Sequence, residues 1–237
     1  MTGTMNQPRY AVYVAPEKES MLDRLGVDWL GRTAEAPQRV RSNAPEGFGD
    51  DEYRQLVAAP RHYGFHGTLK APFELHPEQD EKALRSGMKA LAATLVPFEV
   101  GPLRISFLNR FLALLPATDS SRLARLHAIC LRELDIFRAP LSDYDHARHM
   151  SKGLSGRQER LLGRFGYPFV LEDFRFHMTL TGNLEERQRH SCRDRLEQLL
   201  RAYLKTPLTV REICLFVQED RSRPFRLSER FALKGDA

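Results

Sequence analysis

Apolar residues recur along the chain with two spacings, which predict a mixture of strands and helices. Short apolar or alternating runs predict strands, which lie at Arg9–Ala15, Tyr63–Lys70, Phe98–Leu108, Arg110–Leu115, Phe174–Gly182, Leu208–Gln218 and Phe225–Leu233. Apolar residues three and four apart predict helices, which lie at Glu17–Leu25, Glu78–Leu95, Ser120–Phe137, Ser155–Phe165 and Glu185–Leu204. Between Gly26 and Pro60, the abundance of Gly, Pro and charge predicts an ordered surface loop with little regular structure.

The order of these elements repeats. A strand, a helix, a strand with the word His-x-Thr-Leu, a helix and a further strand occur twice, with 32 residues from His66 to the strand at Phe98 and 31 from His177 to the strand at Leu208. We expect one bilobal domain over residues 1–237, with a pseudo-repeat of approximately 9–108 and 110–233. The expected class is α+β, with two antiparallel sheets facing across a central cleft and helices outside.

Composition narrows the function without deciding it. The 237 residues are 42% hydrophobic and 28% charged, as in globular proteins in water, and the net charge of +5 favours anionic ligands. Cys130, Cys192 and Cys214 have no metal-ligand spacing, which predicts free thiols in a reducing cytoplasm. The polar start, Met1–Arg9, lacks the apolar core of a signal peptide, and no apolar run is long enough for a membrane span.

Two copies of His-x-Thr-Leu, 111 residues apart, form the most informative motif. Each copy follows a Phe in an apolar run. Because alternate strand residues point to one face, His66 and Thr68 are expected on a common face, and His177 and Thr179 likewise. A single His-x-Thr triplet would mean little, whereas two copies in matched surroundings indicate one site with two imidazoles and two hydroxyls.

Strand parity and charge extend this site. Lys70 shares the face of Thr68, Arg175 and Thr181 share the face of His177, and Tyr13 points away from the valines on either side of it. The basic, histidine-rich stretch from Arg138 to Arg148 is either a solvated loop or a cover for the cleft that holds a second phosphate. The candidate substrate-binding residues are Tyr13, Tyr63, Lys70, Arg148, Arg175 and Thr181.

Two histidines suit the hydrolysis of a phosphodiester without a metal. Imidazole titrates near pH 6.5, so one ring can accept a proton from water while the other protonates the leaving oxygen. Threonine hydroxyls can donate to the non-bridging phosphate oxygens. The spacing of His62 and His66 would suit a metal pair only on a helix, and this run is predicted to be extended. We therefore expect no metal and no other cofactor.

Five stretches, two of which contain the His-x-Thr-Leu motifs, carry a resemblance to a known family: Trp29–Arg32, Tyr63–Phe73, Phe137–Pro140, Gly166–Pro168 and Phe174–Gly182. Together they resemble the two-histidine (2H) phosphoesterases, and within that superfamily the bacterial phosphonate-metabolism proteins. The resemblance implies a two-lobed fold with His66, Thr68, His177 and Thr179 as the catalytic quartet of a phosphoric diester hydrolase. It also implies a small phosphorylated substrate, 5-phosphoribosyl 1,2-cyclic phosphate, in phosphonate catabolism. The chain departs from that branch at Gly67, where Ala is common, and at Leu134, where Phe is expected.

Two other functions stay open. One is an RNA or nucleotide 2′,3′-cyclic phosphodiesterase or a 2′-5′ RNA ligase-like enzyme, for which a basic groove with stacking aromatics is expected. Trp29 and the tyrosines are scattered, so nucleic acid is the less favoured partner. The other is a non-catalytic nucleotide-binding module, which the presence of both histidines disfavours. The sequence does not identify protein partners, nor which histidine is the base.

Overall fold

A computed structural model of the protein describes residues 7–41 and 43–235, so Met1–Asn6 of the polar start lie outside it. The helices are α1 (Met21–Leu30), α2 (Asp50–Tyr63), α3 (Glu81–Ala93), α4 (Ser121–Glu133), α5 (Asp143–Met150), α6 (Gly156–Phe165) and α7 (Glu186–Leu200). The strands are β1 (Arg9–Val14), β2 (Gly67–Glu74), β3 (Phe98–Gly101), β4 (Leu103–Leu108), β5 (Phe111–Pro116), β6 (Met178–Thr179), β7 (Leu208–Val210), β8 (Glu212–Gln218) and β9 (Arg226–Ala232).

Seven strands form one antiparallel sheet in the order β4-β5-β6-β2-β1-β8-β9, and β3 pairs with β7 in a second, small sheet. Apart from β9 at one edge, the order is symmetric about the junction of β6 and β2, which are the two motif strands. On either side of this junction follow the strands that open each half, β5 and β1, and then β4 and β8. The motif strands are therefore neighbours in the middle of the sheet.

The predicted α+β class is confirmed, with one difference in the sheets. Two sheets facing across a cleft were expected, whereas the strands of both halves, except β3 and β7, belong to one continuous sheet. The junction is a single register pair, Gly67 opposite Met178, because β6 has only two residues. The cleft therefore lies over neighbouring strands and not between separate sheets.

The prediction of a loop from Gly26 to Pro60 was wrong at both ends, because half of α1 and most of α2 lie in this range, whereas the described residues of 31–49 between them form no helix or strand. In α2, Tyr53, Leu56, Val57 and Pro60 are buried at the spacing of a helical face. Pro60 falls in the last turn of α2 and does not prevent the helix. His62 consequently lies on a helix, and the first motif strand begins only at Gly67.

The predicted strand Phe98–Leu108 is two strands that belong to different sheets. Gly101 has φ of 93°, a conformation that favours glycine, and Pro102 has no N–H to donate to a ladder. The chain therefore turns at these two residues. As a result, β3 pairs with β7 while β4 pairs with β5.

Alternation along the motif strands buries the residues between the polar ones, as predicted. Phe65 and Leu69 of the first run and Phe176, Met178 and Leu180 of the second all lie in the main core. All three cysteines are free and buried. Within residues 7–41 and 43–235, the helices are too short or too polar to cross a membrane.

Candidate active site

One cavity of about 610 Å³ brings the two motifs together. The two motifs are adjacent because Gly67 pairs with Met178, which sets the polar faces of the two motif strands side by side. The wall of the cavity contains the imidazoles and hydroxyls of both motifs: His66, Thr68, His177 and Thr179. The cavity therefore has the polar groups that strand parity predicted.

Both histidines are oriented by the same local hydrogen bond. Nδ1 of His66 lies 2.9 Å from the carbonyl oxygen of Gly64, and Nδ1 of His177 lies 2.7 Å from that of Arg175. A carbonyl oxygen only accepts, so Nδ1 carries the proton in both rings and Nε2 is the free acceptor of the neutral form. Nε2 of His66 lies 3.3 Å from the Thr68 hydroxyl. Each ring therefore has the tautomer that a general base needs.

The cavity favours the neutral form of both imidazoles. Burial lowers the pKa of His66 to about 3, although the hydrogen bond to Gly64 opposes the shift. Burial also lowers the pKa of His177, and its bond to the Arg175 carbonyl opposes this in the same way. An anion placed between the two rings would raise both pKa values, because it stabilises the charged form of each.

Tyr13 supports His66 from below. Its ring stacks on the imidazole with centroids 3.7 Å apart and an interplanar angle of 19°, and its side chain is only 1% exposed. Tyr63 is 38% exposed at the rim of the cavity and stacks on Phe225 at 5.5 Å. Both predicted tyrosines therefore line the cavity. Tyr13 stacks on His66, whereas Tyr63 lies at the rim.

Lys70 lines the cavity, but its ammonium group is held by partners inside the protein. The side chain is 2% exposed, and its ammonium group donates to a carboxylate oxygen of Asp135 at 2.8 Å and to the carbonyl of Leu131 at 3.2 Å. Strand parity placed Lys70 on the correct strand but did not reveal its partner, which is 65 residues away in the sequence. Its contacts indicate a structural role and do not support the predicted anion binding.

Thr181 lies outside the main cavity. Its hydroxyl accepts the N–H of Leu112 at 3.0 Å and donates to the carbonyl of Gly182 at 2.9 Å. β6 ends at Thr179, so the alternation that placed Thr181 beside His177 does not continue. Thr181 instead lines a neighbouring cavity of about 250 Å³.

The two predicted arginines both line the main cavity. Arg175 donates only to the backbone carbonyls of Glu172 and Phe174, at 3.0 and 2.8 Å, and has no carboxylate partner among the described residues. Arg148 forms an ion pair with Asp145 at 3.0 Å and its side chain is 45% exposed. These two cations therefore remain accessible to a ligand.

The cavity contains more positive charge than the sequence analysis assigned to it. Seven Lys or Arg side chains face three carboxylates along its wall, which favours a ligand with more than one negative charge. Arg9 shares the strand face of Tyr13, so parity on β1 could have identified it. Arg9, Lys152 and Arg221 were not among the predicted site residues, and Arg138 was considered only as part of the stretch from Arg138 to Arg148.

His127 of α4 was also missed, and it connects the two motifs. Its Nδ1 lies 2.6 Å from the carbonyl oxygen of Leu69, and its Nε2 accepts the N–H of Leu171 at 3.0 Å. Its ring stacks on Phe174 with centroids 3.9 Å apart. A lone histidine in an amphipathic helix gives no sequence signal for this position, since its partners come from distant parts of the chain.

His62 does not join His66 in a metal pair. Its Nε2 is 2.8 Å from the amide nitrogen of Gln218, at the end of α2. Over the described ranges, 7–41 and 43–235, no group of three or more His, Cys, Asp or Glu side chains is placed to hold a metal ion.

Several known proteins are similar to this chain. It is 36% identical over 219 residues to the ribose 1,5-bisphosphate phosphokinase PhnN of Laribacter hongkongensis, covering 92% of this chain and 50% of that protein. It is 37% identical over 176 residues to the protein of the same name from Janthinobacterium sp. (strain Marseille), covering 74% of this chain and 39% of that protein. The chain thus spans half or less of the length of the curated relatives it matches.

Similar solved structures include TT0787 of Thermus thermophilus, with 16% identity, a TM-score of 0.45 and coverage of 97% of this chain and 100% of that one. E. coli LigT complexed with 3′-AMP has 16% identity, a TM-score of 0.44 and coverage of 96% and 98%. A family model described as "Protein of unknown function (DUF1045)" matches residues 68–226. Because this match covers more than half of its residues, the chain belongs to the DUF1045 family.

Proposed function

We propose that this protein is a metal-independent cyclic phosphodiesterase of the two-histidine type. The observation that carries the proposal is the pair of imidazoles in one cavity, each with Nδ1 protonated and held by a backbone carbonyl, which makes Nε2 the acceptor of the neutral ring. This arrangement provides one proton acceptor and one proton donor for the same phosphorus atom. The hydroxyls of Thr68 and Thr179 are suited to donate to the non-bridging oxygens.

In the proposed reaction, water attacks phosphorus while one imidazole accepts a proton from it. The bond from phosphorus to one ester oxygen of the ring breaks, and the second imidazole protonates that oxygen. The product is a phosphate monoester beside a free hydroxyl. The proton taken from water and the proton given to the leaving oxygen balance, so the histidine pair is regenerated by exchange with solvent.

We assign the base to His66 and the acid to His177. Burial lowers the pKa of His66 to about 3, and the Tyr13 ring covers one face of the imidazole, so the neutral form is favoured. The ring contact of His177 with Phe111 is tilted and longer, at 5.7 Å. Binding of the substrate anion raises the pKa of both rings, and the less enclosed one is the better site for the added proton.

The substrate that we propose is 5-phosphoribosyl 1,2-cyclic phosphate. A volume of about 610 Å³ lies within the usual range for small-molecule pockets, and the cationic wall suits a ligand with two phosphate groups. The curated relatives are named for a kinase of ribose 1,5-bisphosphate, which is chemically close to this substrate. We do not propose kinase activity for this chain, because it spans only part of those proteins.

A nucleotide 2′,3′-cyclic phosphate is the second candidate substrate. Tyr63 at the rim and Tyr167 farther along the wall are both placed on the cavity, where a base could stack on either ring. The two substrates differ in what lies beyond the cyclic phosphate, so a direct comparison of their kcat/KM values decides between them.

The test is hydrolysis followed by phosphorus NMR, with 5-phosphoribosyl 1,2-cyclic phosphate and the four nucleoside 2′,3′-cyclic phosphates as substrates, in buffer with EDTA. His66→Ala and His177→Ala should each lower kcat by about 100-fold or more. His190→Ala changes an exposed histidine outside the cavity and should keep the wild-type rate. Loss of activity in EDTA with recovery on adding a metal, or full activity of either active-site variant, would overturn the proposal.

A further inference from the structure

The end of α5 brings three nitrogen-bearing side chains to the wall of the cavity. Arg148 and His149 are in the last turn of the helix and Lys152 follows just after it. None of the three belongs to the two motifs. A ligand bound in this part of the cavity would therefore meet these three side chains.

His149 is a buried polar group without a partner. Its side chain is 5% exposed, and its Nδ1 has no hydrogen-bond partner within residues 7–41 and 43–235. The neighbouring Tyr167 ring meets it edge-on at 5.7 Å and supplies no acceptor. A buried polar atom is costly to leave unpaired, so an unpaired one on a cavity wall indicates a missing ligand group.

The two cations beside His149 are both exposed, and Arg148 pairs with Asp145. Lys152 has no carboxylate partner in the part of the chain that the structure describes, and burial together with Arg148 lowers its pKa. Burial, and then the charges of Arg148 and Lys152, lower the pKa of His149 to about 4. A dianion at this place would relieve the repulsion between the cations and stabilise the charged forms.

The helix is held firmly against the sheet, so these side chains form a built site. Arg221 donates to Asp145 at 2.6 Å and to Glu74 of β2 at 3.0 Å, and thereby connects α5 to the first motif strand. Asp145 is shared between Arg221 and Arg148, so it neutralises neither completely. The Ser142 side chain caps the helix by accepting the N–H of Asp145.

We propose that Arg148, His149 and Lys152 form a second anion subsite, which binds a phosphate monoester carried by the substrate whose cyclic phosphate lies between the two histidines. The inference rests on the proposed function and specifies the substrate class: a small molecule with two phosphate groups. Guanidinium, ammonium and a ring N–H together can donate to all three terminal oxygens of a monoester. The subsite would therefore select phosphorylated sugars over their unphosphorylated forms.

The kinetic test compares two substrates that differ in one group, 5-phosphoribosyl 1,2-cyclic phosphate and ribose 1,2-cyclic phosphate. The double variant Arg148→Gln/Lys152→Gln should raise KM for the first by about 100-fold, since each lost charged contact is worth about 10-fold. KM for the second should stay within about twofold. The matched control is Lys82→Gln/Arg160→Gln, which removes two exposed cations from outside the cavity and should change neither KM.

A binding measurement separates failure of the subsite from failure of the proposed hydrolysis. Calorimetric titration with ribose 5-phosphate should give a Kd that rises at least 30-fold in the double variant and about 10-fold in His149→Leu, while His149→Asn, which keeps an N–H near Nδ1, recovers part of the affinity. An unchanged Kd in the double variant overturns the subsite, even if the enzyme is active. If neither cyclic phosphate is hydrolysed but the Kd values change as expected, the subsite stands and the proposed reaction falls. Thermal unfolding of each variant shows whether it is folded.

Discussion

His127 is predicted to make the stability of this protein strongly dependent on pH. Its neutral ring donates to Leu69 and accepts from Leu171, and replacement by Leu would leave both backbone groups without their partner. Each such loss costs about 1–3 kcal/mol, so His127→Leu should lower the free energy of unfolding at pH 7 by roughly 2–6 kcal/mol. The hydrogen bond to Leu171 is especially important for stability because Leu171 has φ of 54°, a backbone conformation that is strained for residues other than glycine.

The sign of the pH effect follows from the direction of the pKa shift. Burial lowers the pKa of His127 from 6.5 to about 4, although its bond to Leu69 opposes the shift. Between these pH values the unfolded chain binds a proton that the folded protein excludes, so stability falls as the pH decreases from about 6.5 to about 4. A shift of this size corresponds to roughly 3 kcal/mol over that window.

The assay is urea unfolding at several pH values from 4 to 8, followed by circular dichroism. The difference in free energy between wild type and His127→Leu should be greatest above pH 6.5 and should shrink by about 3 kcal/mol toward pH 4. His190→Leu is the control, because that side chain is exposed on α7 and should leave the curve unchanged. A constant difference between wild type and His127→Leu across the range would refute the reasoning.

Three further predictions follow from the site and its supports. Tyr13→Leu removes the ring stacked on His66, so kcat should fall about 10-fold with little change in KM, and the acidic limb of the pH–rate profile, which reports the base, should move. For Asp145, burial would raise the pKa, but hydrogen bonds from Arg221 and Arg148 lower it to about 2. Asp145→Asn should therefore cost roughly 2 kcal/mol of unfolding free energy at pH 7, a loss that disappears as the pH falls from about 4 toward 2. A Cβ on Gly67 would overlap the Phe176 ring, so Gly67→Ala should cost about 1–3 kcal/mol, whereas Gly163→Ala, with open space around it in α6, should be neutral or stabilising.

Predictions from local sequence patterns were most successful where the burial of a side chain depends on a single strand. The burial of Phe65, Leu69 and Met178 follows from alternation alone, and so does the common face of each His and Thr pair. The helices after both motifs were placed within a few residues of their observed bounds, since their apolar spacing is regular.

The same rules failed where glycine and proline compete with helical spacing. The range from Gly26 to Pro60 was predicted as a loop on its composition, although the apolar face of α2 was present in it. Strand parity also failed where the strand ends: it placed Thr181 in the cleft, but β6 stops two residues earlier. In both cases the length of an element depended on contacts with distant residues.

The sequence by itself determined which polar groups meet in the cavity: two His-x-Thr words in apolar runs supply two imidazoles and two hydroxyls, and alternation puts each pair on one face. Only the tertiary structure decided which charges can meet a ligand. Lys70 is buried and pairs with Asp135, while Lys152 faces the same cavity without a carboxylate partner among the described residues. The reason is physical: a side chain's net charge depends on its burial and on partners that the fold brings from far along the chain, and neither is encoded in a local pattern.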